Sequence, residues 1–131
     1  LVGSISHSEE LIAATILRDA IGVGIDIERH RRLKLEAARR VAAKEERLKY
    51  SQVQGFDWTL LFSAKESVFK AISPLVRGYI GFHEVELSID FTKQSFSVRY
   101  LGNSLDKRFF EKSRGYWSAF ADHIVTMVTV N

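Results

Sequence analysis

The sequence predicts an α+β fold, a mostly antiparallel sheet packed against helices, on three observations. Alternating, β-branched segments occupy both ends of the chain, a block of helix formers occupies the middle, and polar turns join neighbouring strand-like segments. At 131 residues the chain holds one core and not two. Its 46% hydrophobic and 27% charged side chains place it among globular rather than disordered sequences.

Each element follows from its residues. "VGSIS" and "LIAATIL" read as two strands around the polar turn "HSEE". "IGVGIDIE" is a third strand, in which Gly22 and Gly24 permit close backbone approach or a bulge. From Leu33 to Gln52 helix formers dominate and predict two short helices broken near Ala43. Asp57 is placed as the N-cap of "WTLLFSAKESVFKAIS", which Pro74 and Gly78 are expected to end. "EVELSID" and "SFSVRY" around "FTKQ" predict one hairpin, and "GYWSAFA" and "IVTMVTV" around "DH" predict another. "LGNSLDKRFFEKSR" between them reads as a loop with one helical turn.

The bulk properties narrow the function classes. A net charge of +3 and a pI near 9.3 suit an acidic partner without requiring one. With no cysteine there is no disulfide framework and no thiolate chemistry, which fits a reducing cytoplasm. "LIAATIL" is too short to span a bilayer. The chain starts at Leu1, directly in strand-like sequence, and reads as a fragment whose beginning lies upstream.

The chemistry-bearing residues fall in two places. Asp26 and Glu28 are two apart on the third strand, so they share a face with Cα atoms about 7 Å apart. Oxygen ligands without cysteine favour Mg²⁺ or Mn²⁺ over zinc; a solvated strand face, with the acids paired to Arg29 or Arg31, explains the same spacing. On the long helix Ser63, Glu66 and Lys70 share one face, while Leu60, Leu61, Ala64, Val68 and Ile72 populate the other. Glu66 is suited to be a third oxygen ligand or a general base, with Lys70 as a phosphate-binding or proton-donating cation. An ordinary surface pair between them, worth about 0.2–0.5 kcal/mol, is the alternative.

Taken in order, "GSISHS", "GVGIDIE" and "LLFSAKESVFKA" resemble the motifs of the 4′-phosphopantetheinyl transferases, over Val2 to Phe82. The "FSAKE" form, with Phe62 where many members carry tryptophan, is most similar to the branch serving enterobactin-type siderophore synthetases. The resemblance implies transfer of the 4′-phosphopantetheine arm of coenzyme A to a serine of an acyl, peptidyl or aryl carrier protein, with release of 3′,5′-ADP. It implies Asp26, Glu28 and Glu66 as Mg²⁺ ligands, Glu66 also as base, and Lys70 as the group that stabilises the leaving phosphate. Ser6 and His7 match the pair that touches the coenzyme A phosphates, and Lys65 is a further candidate for a phosphate or carrier contact. From the residues alone, a turn histidine with no role is the favoured reading of His7, and a buried strand serine is an equal reading of Ser6.

The resemblance also bears on organisation and partners. Members of this branch are built from two similar lobes. This chain matches the second, without the basic residues that grip the adenine nucleotide ahead of "GSISH". Truncation is therefore expected, with the missing lobe or self-association covering an apolar face and low solubility in its absence. Arg29, His30, Arg31, Arg32, Lys34, Arg39 and Arg40 form a basic run that suits an acidic carrier-protein helix, with Val53 and Phe56 as added contacts. A solvated helix face explains the run as well. A nucleic-acid or polyanion-binding module is the rival reading; Glu36, Glu45 and Glu46 interrupt the basic helix and count against it. A catalytically inactive scaffold of the same fold is the other.

Overall fold

The computed structural model describes residues 1–131 as the predicted α+β arrangement. Strands β1 (Val2–His7) and β2 (Ile12–Leu17) form a separate antiparallel ribbon. β3 (Gly22–Arg29) opens the main sheet. After helices α1 (Leu35–Val41), α2 (Lys44–Tyr50) and α3 (Trp58–Val76) come β4 (Val85–Asp90), β5 (Ser95–Tyr100), the single turn α4 (Arg108–Glu111), β6 (Ser113–Phe120) and β7 (His123–Val130). The five-stranded sheet runs β3-β7-β6-β5-β4, antiparallel throughout. No helix is long and apolar enough to cross a membrane.

α3 is the element on which the core is assembled. Leu61, Ala64, Val68 and Ile72 are fully buried at helical spacing, and they meet Val85, Leu87, Phe96, Val128 and Val130 of the sheet. Asp57 caps the helix as predicted, accepting from the Thr59 amide at 3.0 Å. The helix does not stop at Pro74. It runs to Val76 and ends at Arg77 in the left-handed conformation (φ 52°). Pro74 has no amide to donate to the Lys70 carbonyl four residues back, so the helix gives up that one bond and still continues for two more residues.

Gly22 and Gly24 serve close approach, not a bulge: β3 pairs with β7 without interruption from Gly22 to Arg29. A Cβ on Gly24 would lie 2.0 Å from the Ser67 carbonyl oxygen, and one on Gly22 would lie 2.5 Å from that of Ala71. Backbone therefore meets backbone between β3 and α3, and Asp26, next on the same face, is carried up against the helix.

Side chains close both edges of the sheet. At the β3 edge, the hydroxyls of Ser4 and Ser6 accept from the amides of Ile25 (3.0 Å) and Ile27 (3.3 Å). At the β4 edge, Glu46 accepts from Leu87 N (2.7 Å), while Tyr50 donates to Leu87 O (2.7 Å) and accepts from Ile89 N (3.1 Å). The second hairpin turns at Ala121 and Asp122, both at positive φ, so His123 belongs to β7 and not to the expected "DH" turn.

Candidate active site

β3 and α3 bring the predicted acids to one place. Asp26 is 5% exposed and Glu28 8%. The Lys70 ammonium donates to the Ile25 carbonyl (2.9 Å) and to Asp26 Oδ1 (3.1 Å), so it bridges helix to strand instead of pairing with Glu66. Ser6 donates to the same Asp26 oxygen at 3.3 Å. Asp26 Oδ2 is buried with no hydrogen-bond partner. Glu28 is paired with Arg32, one residue beyond the expected Arg29 or Arg31.

The electrostatics match this crowding. Burial pushes the Asp26 carboxyl above the usual range, and Ser63, Lys70 and Ser6 offset that only in part. Burial also raises Glu28, with the neighbouring Asp26 charge adding to it. Glu66 is raised by burial first, then by Asp26 and more weakly by Glu28, against a pull from Lys70. Three carboxyls thus lie within one another's field. They do not form a ready coordination shell: no three His, Asp or Glu side chains converge closely enough for that. The expected clasp is open because each strand acid has taken the nearest cation, Lys70 or Arg32. The orphaned Asp26 oxygen and the all-oxygen donor set nevertheless fit a hard divalent cation.

Lys65 is a correction. It is fully buried, and its ammonium donates to Glu46 (2.6 Å) and to the carbonyls of Val41 and Phe82 (2.7 Å each). Glu46 completes the network by accepting from Ala43 N and Leu87 N. No valence of Lys65 is left for a phosphate or a carrier protein. The signal was in the helix periodicity, because Leu61, Lys65, Val68 and Ile72 fall on one buried stripe. Ser6 is also engaged within the chain, between Asp26 and the Ile27 amide.

His7 is exposed, on the wall of a polar cleft of about 520 Å³ that Glu28 and the Arg29–Arg32 run also line. Sequence reasoning missed two residues of this cleft. Buried His123 donates from Nδ1 to the Ala121 carbonyl (2.8 Å), which leaves Nε2 to accept from the Ser8 hydroxyl (2.8 Å). The alternation of Ser4, Ser6 and Ser8 was the readable sign that one polar face of β1 bonds to the sheet. In the basic run, Arg29 pairs with Glu10 and His30 with Asp57. Burial pushes Asp57 up, but the Arg31 and Thr59 amides outweigh it and hold its carboxyl below the usual range.

The profile of the 4′-phosphopantetheinyl transferase superfamily matches residues 22–128. The 4′-phosphopantetheinyl transferase Svp of Streptomyces mobaraensis is 34% identical over 139 aligned positions, covering 99% of this chain and 56% of Svp. The 4′-phosphopantetheinyl transferase PptT of Mycobacterium tuberculosis is 26% identical, over 99% of this chain and 62% of PptT. The chain therefore spans less than two thirds of either relative. Among solved structures, the holo-[acyl-carrier-protein] synthase of Thermotoga maritima shares the fold at a TM-score of 0.63 and 23% identity, over 86% of this chain and 64% of that one. The holo-ACP-synthase of Plasmodium yoelii does so at 0.63 and 19%, over 85% of this chain and 94% of that one.

Proposed function

The chain belongs to the 4′-phosphopantetheinyl transferase superfamily, and on that premise we propose that it moves the 4′-phosphopantetheine arm of coenzyme A onto a serine of a carrier protein, releasing 3′,5′-ADP. The observation that carries this reading is the unpartnered Asp26 oxygen, buried among acids that β3 and α3 hold together. Asp26, Glu28 and Glu66 are the residues to hold Mg²⁺ or Mn²⁺, which when bound supplies positive charge beside the diphosphate of coenzyme A.

The remaining roles fall to side chains. The serine oxygen bonds to the β-phosphorus, the bond from that phosphorus to the bridging oxygen of 3′,5′-ADP breaks, and the hydroxyl proton passes to Glu66. Glu66 is a half-buried carboxylate within the field of Asp26 and Glu28, which supports that role. Lys70, anchored on Ile25 and Asp26, supplies a cation for the charge that grows on the leaving phosphate. His7, exposed at the polar cleft, contacts the phosphates, and Ser6 fixes the Asp26 carboxylate.

We read residues 1–131 as one lobe of such an enzyme, acting in the cytoplasm on an acidic carrier domain of a siderophore-type nonribosomal peptide synthetase. Support for the acceptor comes from the "FSAKE" form around Phe62 and from exposed Arg31, Lys34, Arg39 and Arg40. Mass spectrometry of an apo carrier domain incubated with the chain, coenzyme A and Mg²⁺ tests the reaction. A gain of the phosphopantetheine arm, lost in Asp26→Ala and Glu66→Ala, is expected. A gain that both variants retain, or none from this chain and from a longer one, contradicts it.

A further inference from the structure

Three segments of the chain meet at one buried imidazole. His123 is 2% exposed and opens β7, opposite Arg29 in the β3–β7 register. Its Nδ1 donates to the Ala121 carbonyl at 2.8 Å, inside the β6–β7 turn. The main chain beside it closes on the end of β3, where the His30 amide donates to the Asp122 carbonyl at 2.8 Å. Its Nε2 faces the Ser8 hydroxyl, also at 2.8 Å, from the turn between β1 and β2.

The direction of the Ser8 bond follows from a count of valences. Ser8 Oγ accepts from the amides of Glu10 (3.3 Å) and Leu11 (3.1 Å), which occupy both of its lone pairs. Its hydrogen is left to donate, and His123 Nε2, bare because the ring hydrogen is on Nδ1, is the acceptor. One hydroxyl thus closes the 8–11 turn and ties it to β7. The other tie of this turn, Glu10 to Arg29, joins side chains 56% and 57% exposed, and such pairs hold little. Losing the hydroxyl leaves Nε2 buried and unpaired, which is the costlier loss.

His7 lies between two such anchors. Ser6 is tied to Asp26 and to the Ile27 amide, and Ser8 is tied to His123. The backbone that carries the exposed His7 ring is therefore fixed on both sides, at the edge of the polar cleft that Glu28 also lines. We propose that His123 is a positioning residue: through Ser8 it holds the backbone of His7, and so sets where the His7 ring meets the phosphates of coenzyme A. The buried His123 ring does not itself touch substrate. A ring placed in advance loses less freedom on binding than one carried by a loose turn. This rests on the transferase reading above.

Titration calorimetry of coenzyme A in the presence of Mg²⁺ tests this on the whole chain, and the KM for coenzyme A in arm transfer reads the same comparison. His7→Ala is expected to weaken binding about 10-fold, because hydrogen bonds to charged groups are the strong ones. Ser8→Ala, which removes the tie and leaves His7 in place, is expected to weaken it about 5-fold, whereas Ser8→Thr, which keeps the hydroxyl, stays within about 2-fold of the parent. His123→Ala is expected to repeat Ser8→Ala; where it does not fold, Ser8→Ala carries the test. On a His7→Ala background, Ser8→Ala is expected to cost nothing further, which a merely stabilising contact would not give. Ser8→Ala binding as tightly as the parent, or losing the same factor with His7 absent, overturns the positioning role and leaves the transferase reading standing. A parent chain that neither binds coenzyme A nor transfers its arm overturns the two together.

Discussion

Asp26 holds Ser6 and Lys70 on one oxygen and nothing on the other. Its carboxyl, like those of Glu28 and Glu66, is raised, so the folded chain binds protons that the unfolded chain releases. The resulting loss of stability is complete above the raised values, shrinks as pH falls, and vanishes below the ordinary carboxylate range near 3.8. Asp26→Asn therefore raises Tm at neutral pH, and the gain fades on acidification, as melts across pH will show. Mg²⁺ is expected to raise the Tm of the parent and not of this variant; an excess of about 100-fold over Kd is worth about 2.7 kcal/mol. Lys65 behaves oppositely to a phosphate ligand. Lys65→Ala strands the Glu46 carboxylate in the core and costs about 3–5 kcal/mol in denaturant unfolding, with or without coenzyme A. Its neighbour Glu66, which the motif also marks, is half-buried within the field of Asp26 and Glu28. Lys65 was misread because a motif records adjacency in sequence, whereas adjacent helical residues point about 100° apart.

Most elements were legible because each had a local cause. Helix formers broken at Ala43 became α1 and α2, Asp57 became a cap, and alternation became hairpins. The misplacements also have local causes. Pro74 removes one amide donor without stopping the helix, and the 121–122 turn takes positive φ without a glycine to announce it. What no local pattern revealed was that the β1–β2 ribbon docks on β3 through hydroxyls, because that contact joins residues about twenty apart. The β3–α3 contact is the element-scale feature on which the site depends. Gly24→Ala sets a methyl group against the Ser67 carbonyl and forces the helix away. Overpacking of this kind costs about 1–3 kcal/mol. Urea unfolding is expected to show that loss, and titration calorimetry a weakened Mg²⁺ affinity, since Glu66 and Lys70 move off with the helix.

At the scale of the molecule, one face of the ribbon stays open. Ile5, Ile12 and Ile16 are 66%, 75% and 70% exposed on neighbouring positions of β1 and β2. Such a face drives association. Light scattering coupled to size exclusion is expected to show self-association that Ile12→Lys with Ile16→Lys reduces; a stable monomer at high concentration counts against it. The antiparallel sheet and its helical cover were readable from the order of elements, whereas the way Lys70 and Arg32 occupy the acids was not, since it depends on which cations the fold brings within reach. The central claim is that Asp26, Glu28 and Glu66 share one divalent cation. Mn²⁺ titrated into ¹⁵N-labelled protein tests it directly through paramagnetic broadening of backbone amides. The account predicts broadening centred on Asp26, Ile27 and Ser67 and its loss in Asp26→Asn. Broadening centred elsewhere, or unchanged in that variant, would contradict it.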